Sequence, residues 1–249
     1  MRRVQLDCTP SERSESANFF GNRIGMGTAM AMELTPEAPR PWPAPRAKTL
    51  LFVLIGAMYL YVICTTESFL INKSDPEWTH IEPFKTILLP HGLLAALALL
   101  LGPFQFSERL RRNYAVVHKT MGYLYIAGCY LGAPVGLYIQ WFEEGLGESR
   151  NFTIATVADA TIWIFATTMA LIMIRRRKIQ QHRQWMMRSF ACALIFLEVR
   201  VILVLFAVPE KYAEIVVWSC VAAAFPIADL VLQIDESLRS RARAAPVRR

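Results

Sequence analysis

The sequence lacks the short motifs that mark many soluble catalytic and metal sites. It contains no Cys-x-x-Cys pair, no His-Glu-x-x-His motif, no Walker-type glycine loop and no Gly-x-Ser-x-Gly nucleophile elbow. These absences exclude the usual signatures of zinc proteases, nucleotide hydrolases and serine hydrolases. The five cysteines are isolated, and four of them lie in apolar blocks, so we expect them to behave as small core residues.

Charged residues are also scarce over most of the chain, and 54% of its residues are hydrophobic. A helix needs about 20 apolar residues to cross a hydrocarbon layer roughly 30 Å thick. The connecting segments are too short to build a second layer around a soluble core. The sequence therefore predicts an all-α bundle of six transmembrane helices within a single domain over 48–236. The six predicted spans are 49–71, 84–106, 121–142, 153–174, 189–208 and 213–234.

The two ends of the chain differ from this domain. Residues 1–47 are polar and proline-rich, and they contain no apolar h-region, which argues against a cleaved secretory signal. We expect a disordered N-terminal tail, although Met26, Met30 and Met32 leave open a start of translation downstream. Residues 237–249 form a short basic C-terminal tail.

The net charge of +7 is unevenly distributed, and its distribution predicts a topology. Most of the 27 Lys and Arg residues lie in the N-terminal tail, the segments 107–120 and 175–188, and the C-terminal tail. Cytoplasmic segments of membrane proteins carry such an excess of positive charge. We therefore expect both termini in the cytoplasm, in the cell inner (plasma) membrane, with anionic lipid rather than nucleic acid as the basic segments' partner. The opposite loops hold only Lys73, Lys85, Arg150 and Lys211.

Arg200 lies inside the fifth predicted span, where an ionised group is costly and usually faces a protein interior or a polar cavity. A helix rise of about 1.5 Å per residue puts Arg200 roughly 12 Å below the outer end of its span. The same count puts Asp159 about 9 Å and His91 about 10 Å below the outer ends of theirs. We expect Asp159 to be the counter-ion of Arg200, with Glu67 and Glu198 able to join the same polar layer.

This polar layer has two interpretations. A salt bridge that fixes helix packing is the simpler one. The other is a pocket for a proton, a quinone head group or a small solute. His91 favours the functional interpretation because an imidazole titrates near neutral pH.

His118 and His182 both precede spans that enter from the predicted cytoplasmic side. Two imidazoles on facing helices can hold a haem iron axially, and nearby cations can pair with its propionates. The sequence thus suggests a b-type haem at His118 and His182, and the simpler interpretation is two interfacial histidines beside lipid phosphates. His91 has no intramembrane histidine partner for a second haem. The neighbouring cations are Lys119, Arg183 and Arg188.

Several of these residues belong to segments that resemble domain-of-unknown-function family 2306, a family of predicted integral membrane proteins. The resemblance covers about 85–200, and this chain departs from the family pattern with Lys119 for Arg and Phe190 for Tyr. It implies the same membrane architecture, without implying an activity. The residues to which the resemblance directs attention are His91, His118, His182, Arg188 and Arg200. The chain is also similar, at the level of fold, to cytochrome b-561-like bundles. The segments that carry the family resemblance are His91, 102–106 (GPFQF), Arg111, 118–125 (HKTMGYLY), 182–190 (HRQWMMRSF) and Arg200.

Three hypotheses follow, and the sequence does not decide whether the protein is an enzyme. The first is a redox protein that binds b-type haem or a quinone through His91, His118, His182 and Arg188. The second is a transporter of a small solute or proton along His91, Asp159 and Arg200. The third is a structural or assembly partner of another membrane complex.

Overall fold

The computed structural model describes residues 45–65, 67, 72, 74 and 76–244, and this part of the chain forms α-helices and contains no strand. Residues 1–44 and 245–249, and with them most of the predicted N-terminal tail, lie outside the described residues. The helices are α1 (Pro45–Thr65), α2 (Pro76–Ile81), α3 (Lys85–Gln105), α4 (Glu108–Asn113), α5 (Ala115–Gly145), α6 (Arg150–Arg175), α7 (Ile179–Leu205) and α8 (Ala213–Ala244), with a 3-10 turn at Glu210–Tyr212 before α8.

Four of these helices are long and apolar enough to cross a membrane: Lys85–Gln105, Ala115–Gly145, Arg150–Arg175 and the part Ala213–Ser237 of α8. They correspond to the second, third, fourth and sixth predicted spans. The described apolar part of α1 is shorter, Val53–Thr65. Helix α7 has 27 residues, but Glu198 and Arg200 interrupt its apolar half. The all-α membrane architecture is therefore confirmed, with four clear spans where the sequence predicts six.

Local signals in the sequence explain where the long helices begin and end. Helix α6 begins after Ser149, whose hydroxyl accepts a hydrogen bond from the Asn151 backbone N–H at 3.2 Å. Three helices are followed by a residue with positive φ, the left-handed conformation that turns the chain away from a helix axis. These residues are Gly147 after α5 (115°), Arg177 after α6 (58°) and Ala207 after α7 (46°).

Consecutive long helices pack side by side, so that α3 contacts α5, α5 contacts α6, α6 contacts α7 and α7 contacts α8. Helices α1 and α3 also pack against α7. A buried cluster in the middle of the bundle joins four of these helices through Leu99 of α3, Tyr125 of α5, Ala170 of α6 and Phe190 of α7. Helix α7 therefore takes part in the core despite its charges.

The outer surface of the bundle is strongly apolar. Large hydrophobic side chains such as Leu93, Tyr123 and Leu131 are more than half exposed. A soluble protein rarely leaves apolar surface uncovered on this scale, whereas lipid covers it at no cost. The exposed surface thus agrees with the length and composition of the helices in indicating a multi-pass membrane protein.

Candidate functional site

His118 and His182 lie at the same end of the bundle, where α5 and α7 begin, and they are within electrostatic range of each other. Each imidazole lies in the first turn of its helix, and His118 is within electrostatic range of both His182 and Arg111. Arg111 comes from the short helix α4 that precedes α5. Both histidines are half-buried. Their convergence follows from the antiparallel bundle, in which α5 and α7 run in the same direction.

His182 has a defined tautomer. Its Nδ1 lies 2.9 Å from the carbonyl oxygen of Ala170 in α6. A carbonyl oxygen can only accept, so Nδ1 carries the proton and Nε2 keeps its lone pair. Burial lowers the pKa of His182, the hydrogen bond to Ala170 opposes this effect, and the nearby Arg111 adds to it. The imidazole is therefore neutral at neutral pH, the form that accepts a proton or binds a metal.

Two side-chain nitrogens beside this pair have no hydrogen-bond partner in the described part of the chain. They are Nε2 of Gln105 and Nδ1 of His118, and each atom is fully enclosed by protein. Gln105 lies over α5 at Gly122, where a Cβ would come within 3.3 Å of the Gln105 Oε1 atom. Gly122 is one turn beyond His118 on the same helix face. Enclosed polar atoms are costly to leave unpaired, so the two nitrogens distinguish this end of the bundle from the satisfied polar groups elsewhere in it.

We call the group formed by Gln105, Arg111, His118 and His182 the histidine-pair site. It contains the Gln105 amide on α3, the His118 imidazole on α5, the Arg111 guanidinium on α4 and the neutral His182 imidazole on α7. Sequence reasoning singled out its two histidines as candidate site residues but did not include Gln105 or Arg111 among them. The segments that carry the family resemblance contain both residues and were the available signal.

Arg188, which the sequence suggested as a cofactor-binding cation, is engaged elsewhere. Its Nε donates to Oδ1 of Asp229 in α8, and Nη2 lies at the same distance, 2.8 Å, from that oxygen. The guanidinium also lies 4.8 Å from the centroid of the Trp185 ring. Sequence reasoning missed Asp229, although a carboxylate within an apolar span is an informative signal. Arg188 thus links α7 to α8.

His91 lies away from the histidine-pair site, against a glycine-lined face of α5. Its Nδ1 donates to the carbonyl oxygen of Gly132 at 3.0 Å. A Cβ at Gly136 would come within 2.8 Å of the His91 Cε1 atom, so the ring fits there because glycine has no side chain. Gly128, Gly132 and Gly136 recur every fourth residue and allow α3 to approach α5 closely.

The expected pairing of Arg200 with Asp159 is wrong. The Arg200 Nη2 atom lies 3.5 Å from Oε1 of Glu67, just beyond the end of α1, and the guanidinium carbon lies 5.2 Å from the centroid of the Phe196 ring. The side chain of Arg200 is 43% exposed and that of Glu67 is 14% exposed. Arg200 therefore extends along the α1–α7 boundary rather than into the bundle interior, because its long side chain can reach the polar end of α1.

Asp159 instead faces α7 without a cation. Its Oδ1 atom is fully enclosed, and it forms no hydrogen bond or ion pair with any residue the structure describes. Glu198 of α7 is within electrostatic range of it. Two carboxyl groups from neighbouring helices thus share one region of the bundle.

A buried hydroxyl network in the core was also missed by sequence reasoning. The Tyr125 hydroxyl is 2.8 Å from Oγ of Ser189, which is 2.7 Å from Oγ1 of Thr167, and the Cys129 thiol is 3.3 Å from the same Thr167 oxygen. Tyr125, Cys129, Thr167 and Ser189 are each about 0% exposed. The network joins α5, α6 and α7, and its hydrogen bonds link the three helices in the core.

Metal sites built from three or more protein ligands are absent from the described residues, where no group of three His, Cys, Asp or Glu side chains is close enough to hold an ion. Cys129, Cys192 and Cys220 are buried free thiols. Axial haem ligation, by contrast, needs only two imidazoles.

Comparison of the chain with a protein-family model agrees with this membrane architecture. No curated protein and no solved structure matches the chain. A family model described as "Predicted membrane protein (DUF2306)" matches residues 88–232, more than half of the chain. The matched region runs from α3 into α8 and contains all four residues of the histidine-pair site. The chain belongs to the DUF2306 family of predicted membrane proteins.

Proposed function

We propose that this protein crosses the plasma membrane six times, with α1 and α7 as the additional spans and both termini in the cytoplasm. The end of α6 and the connection to α7 carry Arg175, Arg176, Arg177 and Lys178, and α4 carries three arginines. Clusters of this kind favour the cytoplasmic side. In this topology the histidine-pair site lies at the cytoplasmic end of the bundle.

We further propose a redox function in which the histidine-pair site binds a quinone head group. The observation that carries this proposal is the pair of enclosed nitrogens without acceptors, Gln105 Nε2 and His118 Nδ1. A quinone carbonyl oxygen accepts hydrogen bonds from amide and imidazole N–H groups. The isoprenoid tail of a quinone is apolar and suits a site at the edge of a membrane bundle.

The remaining residues of the site fit the chemistry of quinone reduction. Reduction to the quinol would need two electrons from a separate electron-donor protein and two protons, one for each carbonyl oxygen. The Arg111 guanidinium would stabilise the negative charge that builds up on those oxygens. The neutral His182 imidazole has a free lone pair at Nε2 and can carry a proton between the site and the cytoplasmic water.

A b-type haem at His118 and His182 is the second candidate. The bond from His182 Nδ1 to the Ala170 carbonyl favours it, because haem and metal-ligating histidines commonly donate their other ring N–H to a carbonyl. In this arrangement Arg111 would pair with a propionate. His118 Nδ1 without a partner favours the quinone instead, since a haem ligand bound through Nε2 usually has Nδ1 engaged.

Binding of decylubiquinone to purified protein in lipid nanodiscs tests the first candidate. We expect Gln105→Leu and His118→Ala each to weaken binding about tenfold, since each removes one hydrogen bond to the head group. His91→Gln is the matched control, because His91 contacts Gly132 at a different part of the α3–α5 interface. No binding by the unaltered protein, or equal weakening in the control, would overturn the quinone proposal.

Absorption spectra of the same preparations, oxidised and reduced, separate the two candidates. A haem held by His118 and His182 produces a Soret band that His182→Ala abolishes and Gln105→Leu leaves unchanged. A quinone site gives no Soret band and is weakened by Gln105→Leu. Stable co-purification with another membrane complex, together with neither signal and tolerance of replacement of His91 and His118, would instead support a structural role in that complex.

A proton or solute path along the outer polar residues remains the alternative class of function. Its support is the Asp159 carboxyl, which the Arg200–Glu67 pair leaves without a cation. In that case Arg200→Gln would abolish flux in liposomes and leave quinone binding and any Soret band untouched.

A further inference from the structure

Asp159 and Glu198 lie on neighbouring helices in an apolar part of the bundle. Helices α6 and α7 pack directly against each other. The buried cluster at this interface includes Ala155, Ile195 and Val199, with Ala158 and Ile162 packed against it. Asp159 follows Ala158 on α6, and Glu198 precedes Val199 on α7. The two carboxyl groups are therefore bordered by hydrocarbon rather than by water-filled loops.

No cation neutralises the pair in the part of the chain that the structure describes. Arg200 is the nearest cation along α7, and its guanidinium is paired with Glu67 and lies over Phe196. The Asp159 Oδ1 atom is enclosed and has no hydrogen-bond partner among the described residues. An enclosed ionised carboxylate would need such a partner, whereas a protonated carboxyl group tolerates this environment far better.

The other titratable groups around the pair are thiols, which are neutral at neutral pH. Cys129 on α5 and Cys192 on α7 are within electrostatic range of Asp159, and Cys220 on α8 is within range of Glu198. None of them supplies positive charge. Among the residues that the structure describes, the titratable groups that interact with the pair are these three thiols, and the guanidinium of Arg200 on the same helix is paired with Glu67.

Electrostatics then determines how many protons the pair holds. Two carboxylates close together in a low-dielectric region repel each other, and the first ionisation strongly opposes the second. The same rule places a shared proton on neighbouring carboxyl groups in soluble enzymes. Here the membrane surroundings raise the cost of charge further.

We propose that Asp159 and Glu198 form a proton-binding site within the membrane, in which Asp159 carries one exchangeable proton. The site lies on α6 and α7, away from the histidine-pair site, and it does not depend on quinone or haem binding. Release of the proton leaves the Asp159 carboxylate, and uptake restores the carboxylic acid. A proton-coupled function of this protein would use a titratable group at this depth in the membrane.

Dicyclohexylcarbodiimide tests the protonation state directly. This apolar reagent reacts with protonated carboxyl groups: the O–H adds across a C=N bond, and the resulting O-acylisourea rearranges to a stable N-acylurea. We expect peptide mapping by mass spectrometry to find the adduct on Asp159 in the unaltered protein, with labelling that falls as the pH rises. Asp229 is the internal control, since it lies in the same bundle and its Oδ1 is paired with the Arg188 guanidinium at 2.8 Å.

The comparison between Asp159 and Asp229 needs no variant and so does not depend on a mutant folding. Unlabelled Asp159, or labelling of Asp229 to the same extent, would overturn the proposal.

A second measurement uses Glu198→Gln, which removes the neighbouring negative charge. The pH at which labelling of Asp159 falls by half should then move down by about one unit or more, and an unchanged midpoint would contradict the sharing of one proton.

Discussion

Substitution of Gly128 by valine is expected to lower the free energy of unfolding by about 3 kcal/mol, the upper part of the usual range for overpacking. A Cβ atom at this position would come within 2.7 Å of the Leu94 carbonyl oxygen and 3.4 Å of the Ala98 side chain. The nearer atom belongs to the backbone of α3 and cannot rotate away. The two helices would have to separate, and the packing of α3 on α5 would be lost along its length.

Gly92→Val is the matched control for this prediction. Gly92 lies on the same pair of helices, and a Cβ there meets no atom within 4 Å. Both variants carry the same helix-propensity change, so a difference between them reports the packing alone. Unfolding in detergent micelles, followed by circular dichroism as sodium dodecyl sulfate is added, measures both. Equal stabilities of the two variants would show that α3 and α5 do not approach as closely as the glycine spacing requires.

The same helix contact positions the histidine-pair site. Gly122 precedes Gly128 on α5, and because it has no side chain there is room beside it for the Gln105 amide of α3. If α3 moves away at Gly128, Gln105 moves away from His118 as well. Gly128→Val should therefore also weaken decylubiquinone binding, although it touches none of the residues that would contact the head group.

The apolar blocks of the sequence predicted the long helices well but not their full length. The second block, 84–106, matches Lys85–Gln105 within one residue at each end. The third block, 121–142, is contained in the longer helix Ala115–Gly145. Hydropathy reports only the part of a helix that lies in hydrocarbon, whereas backbone hydrogen bonding continues the helix into the polar boundary. For the same reason α8 extends from the last predicted span to Ala244, into the segment predicted as a basic tail.

Pairings between side chains were less predictable than helices. Depth counting placed Arg200 and Asp159 at similar heights, but it contains no information on the rotation and tilt of α6 and α7. The guanidinium reaches Glu67 instead because α1 packs on that side of α7. The buried contact between Tyr125 and Ser189 was missed because hydroxyl residues in apolar spans have no periodic signal.

Removal of the Arg188 side chain is the second substitution with a large expected effect. Arg188→Leu keeps an apolar side chain beside Trp185 but leaves the Asp229 carboxylate without its partner. Hydrogen bonds to charged groups contribute about 1.5–3 kcal/mol each, so we expect a loss of stability of roughly that size. The side chains of Arg188 and Asp229 are 22% and 41% exposed, which keeps the loss below that of a fully enclosed pair.

The part of this stability loss that comes from the unpaired Asp229 carboxylate can be separated from the part that comes from lost side-chain packing. If the unpaired carboxylate dominates, Arg188→Leu combined with Asp229→Asn should recover most of the stability, because the remaining groups carry no charge. Arg175→Leu is the matched control, since Arg175 is exposed at the end of α6. The same unfolding assay in micelles measures all three. If the double variant does not regain stability, the loss would be assigned to the ring contacts of Trp185 with Phe165 and Phe225, because the Arg188 guanidinium lies over the Trp185 ring. Recovery would instead show that α7 and α8 are joined at this level chiefly by charge, and that Arg188 is retained by Asp229 rather than available to a ligand.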